Sequence, residues 1–142
     1  MIREETRARA RAIQMLYACE TGAGAGPEGG GLPEAAAKVA DLTGSSPEVT
    51  RKAEAVVQGI LAEQAELDRE IAEAAEHWRL ERVGSVERCI LRLAVYELRH
   101  ESAPPRVIID EALWLAHRFA GPRSPAFING VLDRVARALG RL

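Results

Sequence analysis

Residue combinations that could perform catalysis are absent from this sequence. The three histidines, His77, His100 and His117, never lie three or four residues apart, so no helix presents a pair of metal ligands. No HExxH, GxSxG or GxxxxGK[ST] pattern occurs. A carboxylate pair such as Glu66 and Glu70 is more typical of a solvated helix face than of an acid/base pair. We therefore expect no enzyme activity, no metal and no cofactor, which leaves binding as the expected function.

Regularly spaced arginines near the N-terminus could bind a nucleic-acid backbone. Arg3, Arg7 and Arg11 recur every four residues, which places three cations on one helix face within about 12 Å. Tyr17 follows on the same helix and could stack on a base, although a core position is the alternative for this ring. Arg9 lies on the apolar side of the helix, where an ion pair within the protein competes with phosphate binding.

A second candidate for binding single-stranded nucleic acid is the loop from Phe119 to Phe127, which contains Arg123. Aromatic rings together with arginine in a loop commonly hold single strands. The alternative is that both phenylalanines fill the corner between two helices. Trp114 shares a helix face with Arg118 and is expected to be partly exposed, where it could anchor a protein partner. Single exposed aromatic residues also occur without a function.

The charge is distributed unevenly along the chain. The formal net charge is -2, yet residues 34–76 carry -6 and residues 77–142 carry +4. Arginine accounts for 17 of the 19 basic residues. Because the guanidinium group favours planar recognition of phosphates and bases, this preference is consistent with nucleic-acid binding, with a GC-rich genome as the alternative explanation.

The apolar periodicity predicts seven helices and no strand, which gives an all-α bundle. The intervening Gly-rich run 21–32 is predicted to be a flexible loop. Residues 24–29 match GxGxxG, but no strand precedes them, so a dinucleotide site is excluded. The predicted helices span about 3–20, 33–43, 47–63, 65–77, 85–101, 105–120 and 124–139.

Several details of these helices can be predicted. The fifth helix is apolar almost all round and should be central, with Glu97 buried and paired with an arginine. Ser46 or Ser85 can serve as an N-cap. Asn129-Gly130 lies within a helical pattern, where the glycine would permit close contact with another helix.

The size and composition are those of a soluble cytosolic domain. The 142 residues contain no apolar run long enough to span a membrane and no apolar signal-peptide core, so no membrane association is expected. Cys19 and Cys89 lie alone in apolar stretches and are expected to be small core residues.

A series of short motifs follows one another in a characteristic order. They are Leu67-Asp68, Trp78 with Leu80-Glu81-Arg82, Val86-Glu87-Arg88, Ile90-Leu91-Arg92-Leu93-Ala94-Val95-Tyr96-Glu97-Leu98, Asp110-Glu111-Ala112 and Phe127-Ile128-Asn129-Gly130-Val131-Leu132-Asp133. Near the N-terminus, Arg7-Ala8-Arg9 precedes Gln14 and Leu16-Tyr17. With these motifs the chain resembles the transcription antitermination factor NusB family over most of its length.

The resemblance implies one non-catalytic domain made of two small helical bundles, about 1–64 and about 65–142. It also implies two binding partners, the ribosomal protein NusE and the boxA element of nascent RNA. The resulting complex helps RNA polymerase to read through terminators in ribosomal RNA operons.

The resemblance also assigns sites. The implied RNA surface comprises Arg3, Arg7, Arg9, Arg11 and Tyr17, with Phe119, Arg123 and Phe127 as a second patch. The implied NusE surface lies near Glu87 and Arg88. Many family members carry a basic pair where this chain has Glu5-Thr6, and often Glu where it has Trp114. The alternative function is a protein-only helical adaptor, or a homodimer, with weak or no RNA binding.

Overall fold

The computed structural model describes residues 2–22, 31–76 and 83–142. Over these residues the chain forms seven α-helices and no strand, which confirms the predicted all-α fold. The helices are α1 (Glu4–Thr21), α2 (Gly31–Thr43), α3 (Pro47–Ala62), α4 (Gln64–Ala75), α5 (Ser85–His100), α6 (Pro105–Phe119) and α7 (Ser124–Ala138). The GxGxxG match, most of the Gly-rich run, His77 and the Trp78 motif lie outside the described residues.

The helix starts follow local chemistry. Pro47 is the first residue of α3, and Ser46 Oγ accepts a hydrogen bond from Val49 N at 3.2 Å, as an N-cap should. The same prediction for Ser85 is wrong. The N-cap of α5 is Gly84, because its carbonyl already accepts the first helical hydrogen bond, from Arg88 N at 3.0 Å. Ser85 is therefore the first residue inside the helix.

The chain divides into two compact units, Met1–Ala62 and Glu63–Leu142, called unit 1 and unit 2 below. In unit 1, α1 packs against both α2 and α3. Small residues on α1, among them Ala10 and Ala12, are buried beside Ile13, Met15 and Leu16. Short side chains on this stripe let the neighbouring helices approach closely. The opposite face of α1 is left for solvent.

Unit 2 is organised around α5, which contacts α4, α6 and α7. Its apolar side chains are buried almost all round, as the sequence predicts for a central helix. Two arginines of α5 face α4: Arg92 binds Asp68, and Arg99 binds Glu66 and Glu70. Helix α4 thus covers one side of α5 with carboxylates, while α6 and α7 cover it with apolar residues.

Glu97 on α5 is buried, as predicted. Ser102 Oγ donates to Glu97 Oε1 at 3.3 Å. The predicted pairing of Glu97 with an arginine stays a prediction. Cys89 is fully buried, also as predicted, whereas Cys19 is only half-buried; neither forms a disulfide, and burial raises the pKa of Cys19.

One predicted helix start and one predicted glycine contact need correction. Helix α2 begins at Gly31, two residues before its predicted start, because Pro33 is accommodated in the first helical turn, where its missing N–H is not needed. Gly130 does lie inside α7, but among the described residues an added Cβ there would meet no atom within 4 Å beyond its chain neighbours and the backbone of its own helix. The expected close helix contact at Gly130 is therefore wrong. None of the described helices is long and apolar enough to cross a membrane.

Candidate nucleic-acid interface

The predicted arginine row lies along α1. Arg3 and Arg7 are exposed, while Arg11 is half-buried and its guanidinium donates to Gln14 Oε1 at 2.6 Å. Arg3 is the N-cap residue of α1, and its carbonyl accepts from Arg7 N at 3.1 Å. The two N-terminal arginines of the row therefore present their charge at the start of the helix. Arg9 is half-buried, on the side of α1 that the periodicity predicted.

Acidic residues in the first turn of α1 are partly neutralised from within unit 1. Lys52 on α3 forms an ion pair with Glu4. Lys52 donates a hydrogen bond to Glu4; this bond and the charge of Lys52 lower the pKa of Glu4, and the same bond raises the pKa of Lys52. This lysine offsets negative charge next to Arg3 and Arg7, which favours the approach of phosphates.

Tyr17 is exposed, so the core alternative for this ring is wrong. It retains 44% of its surface, whereas its neighbour Leu16 retains 3% and takes the core position. Both residues follow the same apolar pattern in the sequence. Only the packing of α2 and α3 against α1 decides which of them points inward. The ring of Tyr17 is therefore accessible to an unpaired base.

The second predicted patch centres on the connection between α6 and α7. Ser124 N donates to the Gly121 carbonyl at 3.0 Å and closes a tight turn. Pro122 occupies the second position, where its fixed φ is suitable, and Arg123 the third, with φ -90° and ψ -13°. The backbone is that of a type I turn, and it holds Arg123 exposed at its tip.

Phe119 and Phe127 flank this turn at the end of α6 and near the start of α7. Both are half-buried, whereas Ile128 beside Phe127 is fully buried and takes the core position. Each ring thus keeps part of its surface in solvent. Partial exposure is compatible with filling the helix corner and with stacking on a base.

Sequence reasoning did not assign a site role to Arg118. Its guanidinium carbon lies 5.6 Å from the ring centroid of Trp114 and 6.0 Å from that of Phe119. The sequence contained an indication of these contacts, because Arg118 follows Trp114 by four residues and immediately precedes Phe119. Trp114 itself is half-buried.

The predicted partner residues lie in the first turn of α5. Glu87 and Arg88 are both half-buried. The guanidinium of Arg88 donates to the Val83 carbonyl at 2.6 Å and to Ser85 Oγ at 3.1 Å, so it stabilises the start of its own helix. The carboxylate of Glu87 folds over Gly84, where it occupies the space that a Cβ would need. Glu87 is the acidic residue in the first turn of α5.

The predicted RNA residues thus form two groups, one on α1 in unit 1 and one around the α6–α7 turn in unit 2. Each group combines arginine with at least one accessible ring. Among the described residues, no three His, Cys, Asp or Glu side chains are grouped so that they could hold a metal ion.

Comparisons of the sequence identify the same family over nearly the whole chain. The NusB family model matches residues 6–137. The transcription antitermination protein NusB of Sorangium cellulosum is 42% identical over 135 residues, covering 94% of this chain and 92% of that protein. The protein of the same name from Nitratidesulfovibrio vulgaris is 41% identical over 137 residues, covering 93% of this chain and 87% of that protein.

Comparisons of the structure agree. NusB of T. maritima superposes with a TM-score of 0.81 at 31% identity, covering 96% of this chain and 93% of that one. A NusB chain solved together with NusE and double-stranded RNA superposes with a TM-score of 0.81 at 26% identity, covering 97% of this chain and 99% of that one. The family model and the relatives extend across both units, so the chain belongs to the NusB family.

Proposed function

We propose that this protein is a non-catalytic, RNA-binding transcription antitermination factor that acts in the cytoplasm. It pairs with the ribosomal protein NusE and binds boxA RNA, so that RNA polymerase reads through terminators in ribosomal RNA operons. Relatives at 42% and 41% identity carry the name of transcription antitermination protein. The similar NusB chain that was solved with NusE and double-stranded RNA supports NusE and RNA as partners.

The observation that carries the RNA-binding proposal is the pairing of exposed arginine with an accessible ring in each unit. On α1, Arg3 and Arg7 are exposed and Tyr17 keeps 44% of its surface. At the α6–α7 turn, Arg123 is exposed beside the half-buried Phe119. Arginine binds phosphates through charge and hydrogen bonds, and rings stack on unpaired bases. Both contacts together favour single-stranded RNA.

The NusE surface is proposed at Glu87, at the start of α5. A ribosomal protein is basic, and its association with an acidic surface is assisted by charge complementarity. Arg88 has a supporting role, since its guanidinium holds the Val83 carbonyl and the Ser85 hydroxyl in the same turn.

RNA binding is tested by fluorescence anisotropy with a labelled boxA-like single strand and a scrambled strand of equal length. The purified protein is titrated alone and with NusE, across a salt series. We expect tighter binding to the boxA-like strand, strengthened by NusE and weakened by salt. Arg7→Ala and Arg123→Ala should each lower the affinity and reduce the salt slope by about 0.7. Equal binding to both strands in the presence of NusE would refute RNA recognition and favour a protein-only adaptor.

NusE pairing is tested separately with Glu87→Lys. The matched control is Glu73→Lys, which reverses an exposed glutamate on α4 of the same unit. Titration calorimetry should show weaker NusE binding for Glu87→Lys and wild-type binding for Glu73→Lys. Equal affinity of the two variants would place the NusE surface elsewhere.

A further inference from the structure

The last two turns of α6 place an arginine next to two aromatic rings. The guanidinium carbon of Arg118 lies 5.6 Å from the ring centroid of Trp114 and 6.0 Å from that of Phe119. Trp114 and Arg118 are four residues apart and share one face of the helix. Arg118 is exposed and Trp114 half-buried, so the tryptophan supports the arginine from the protein side.

The surroundings of Arg118 differ from those of three other arginines in unit 2. Arg92, Arg99 and Arg137 are each bound to a carboxylate on their own or a neighbouring helix. In the residues that the structure describes, Arg118 contacts rings and forms no ion pair. A guanidinium held by its face against rings keeps its N–H edge for hydrogen bonds and its outer face for stacking. Its positive charge is available to an anionic ligand.

We propose that Arg118 is a further contact for single-stranded RNA and that Trp114 is its positioning residue. The N–H edge of Arg118 donates to a phosphate, and its guanidinium plane provides a platform for an unpaired base. Arg123 lies in the turn that follows α6, so the contact extends the second patch along the helix. This inference rests on the proposed function, and it assigns Trp114 to RNA binding rather than to a protein partner.

RNA as the ligand follows from the combination of charge and planarity. An acidic protein segment would use the charge of Arg118 but not its outer face, whereas an unpaired nucleotide uses both. The neighbouring Phe119 and Arg123 offer the same pair of chemistries within five residues. A single strand that reaches Arg123 therefore meets a second arginine and a second ring on α6.

The experiment compares variants in the anisotropy titration with the boxA-like strand and NusE. The variants are Arg118→Ala, Trp114→Ala and Trp114→Phe. The matched control is Arg106→Ala, which removes an exposed arginine from the other end of α6, about 18 Å along the helix axis. Circular dichroism verifies that each variant is folded, because Trp114 is half-buried.

We expect Arg118→Ala to raise Kd about 5-fold or more and to reduce the salt slope by about 0.7. Trp114→Ala should raise Kd about 2- to 5-fold, since the arginine loses its support, and Trp114→Phe should restore most of the affinity. Arg106→Ala should leave Kd within about 2-fold of the wild type, because Arg106 lies outside the second patch.

Three results would overturn the inference. They differ in whether the proposed function survives. If Arg118→Ala matches Arg106→Ala while the wild type still prefers the boxA-like strand, the proposed function survives without this contact. If Trp114→Ala loses NusE binding and keeps RNA binding, Trp114 is a protein anchor. If the wild type prefers neither strand with NusE present, the proposed function fails together with the inference.

Discussion

The ion pair between Arg92 and Asp68 joins α5 to α4 inside unit 2. Arg92 Nε donates to Asp68 Oδ1 at 2.8 Å, and a terminal guanidinium nitrogen donates to Oδ2 at 2.9 Å. The side chain of Arg92 is 10% exposed and that of Asp68 is 27% exposed. The substitution Asp68→Ala removes both acceptors and leaves the guanidinium charge enclosed by protein.

The expected loss follows from the burial of the two groups. Removing one partner of a fully buried ion pair costs about 3 to 5 kcal/mol, and an exposed pair between adjacent helical turns contributes about 0.3 to 0.5 kcal/mol. Since water reaches part of Asp68, we expect Asp68→Ala to lower the free energy of unfolding by about 2 to 4 kcal/mol. Most of this loss is the cost of keeping the buried charge of Arg92 without the Asp68 carboxylate.

The chain contains a matched control on α7. Arg137 Nε and Asp133 Oδ2 are 2.9 Å apart, nearly the same distance, but the side chains are 66% and 44% exposed. Asp133→Ala should therefore lower the free energy of unfolding by no more than about 0.5 kcal/mol. The comparison holds the residue types and the Nε–Oδ distance nearly constant, and changes the burial and the number of hydrogen bonds.

Urea denaturation at neutral pH, followed by circular dichroism, measures both losses. A double-mutant cycle with Arg92→Met isolates the coupling, because the double variant contains neither charge of the pair. The double variant should be less destabilised than the sum of the two single variants. Equal losses for Asp68→Ala and Asp133→Ala, or a coupling below about 0.5 kcal/mol, would refute the reasoning from burial.

Three further predictions follow from contacts elsewhere in the two units. Because Lys52 lowers the pKa of Glu4 from 4.5, their pair stabilises the fold above that pH and loses this effect as the pH falls through the lowered pKa. Lys52→Met should move the pKa of Glu4 back toward 4.5 in an NMR titration, and an unmoved pKa would contradict the pairing. Gly130→Ala should raise the free energy of unfolding by about 0.5 to 1 kcal/mol, since a Cβ meets no atom there and alanine favours the helix. A destabilised Gly130→Ala variant in thermal unfolding would show that the site is crowded. The guanidinium of Arg141 donates to the carbonyls of residues 98 and 103 at 2.7 and 2.9 Å, so Arg141→Ala should cost about 2 kcal/mol in the same assay. A loss below about 0.5 kcal/mol would show that water replaces these bonds.

The candidate site was only partly predictable from the sequence. The spacing of Arg3 and Arg7 predicted a shared exposed face, because helical periodicity is a local property. The exposure of Tyr17 could not be predicted, since Leu16 beside it fits the same apolar pattern and only the packing of α2 and α3 distinguishes them. Arg118 was missed as a site residue, although Trp114 lies four residues before it and Phe119 directly after it on the same helix.

The sequence by itself determined the helices. Their ends agree with the predicted ones to within two residues, because proline positions, glycine-rich breaks and apolar periodicity act over a few residues at a time. Tertiary structure decided which charges are paired and which are available. Nothing local indicates that Arg92 binds Asp68, 24 residues away, while Arg123 is held exposed at a turn. Ion pairs and burial depend on which helices meet, and this in turn decides which arginines stabilise the fold and which are left to bind a ligand.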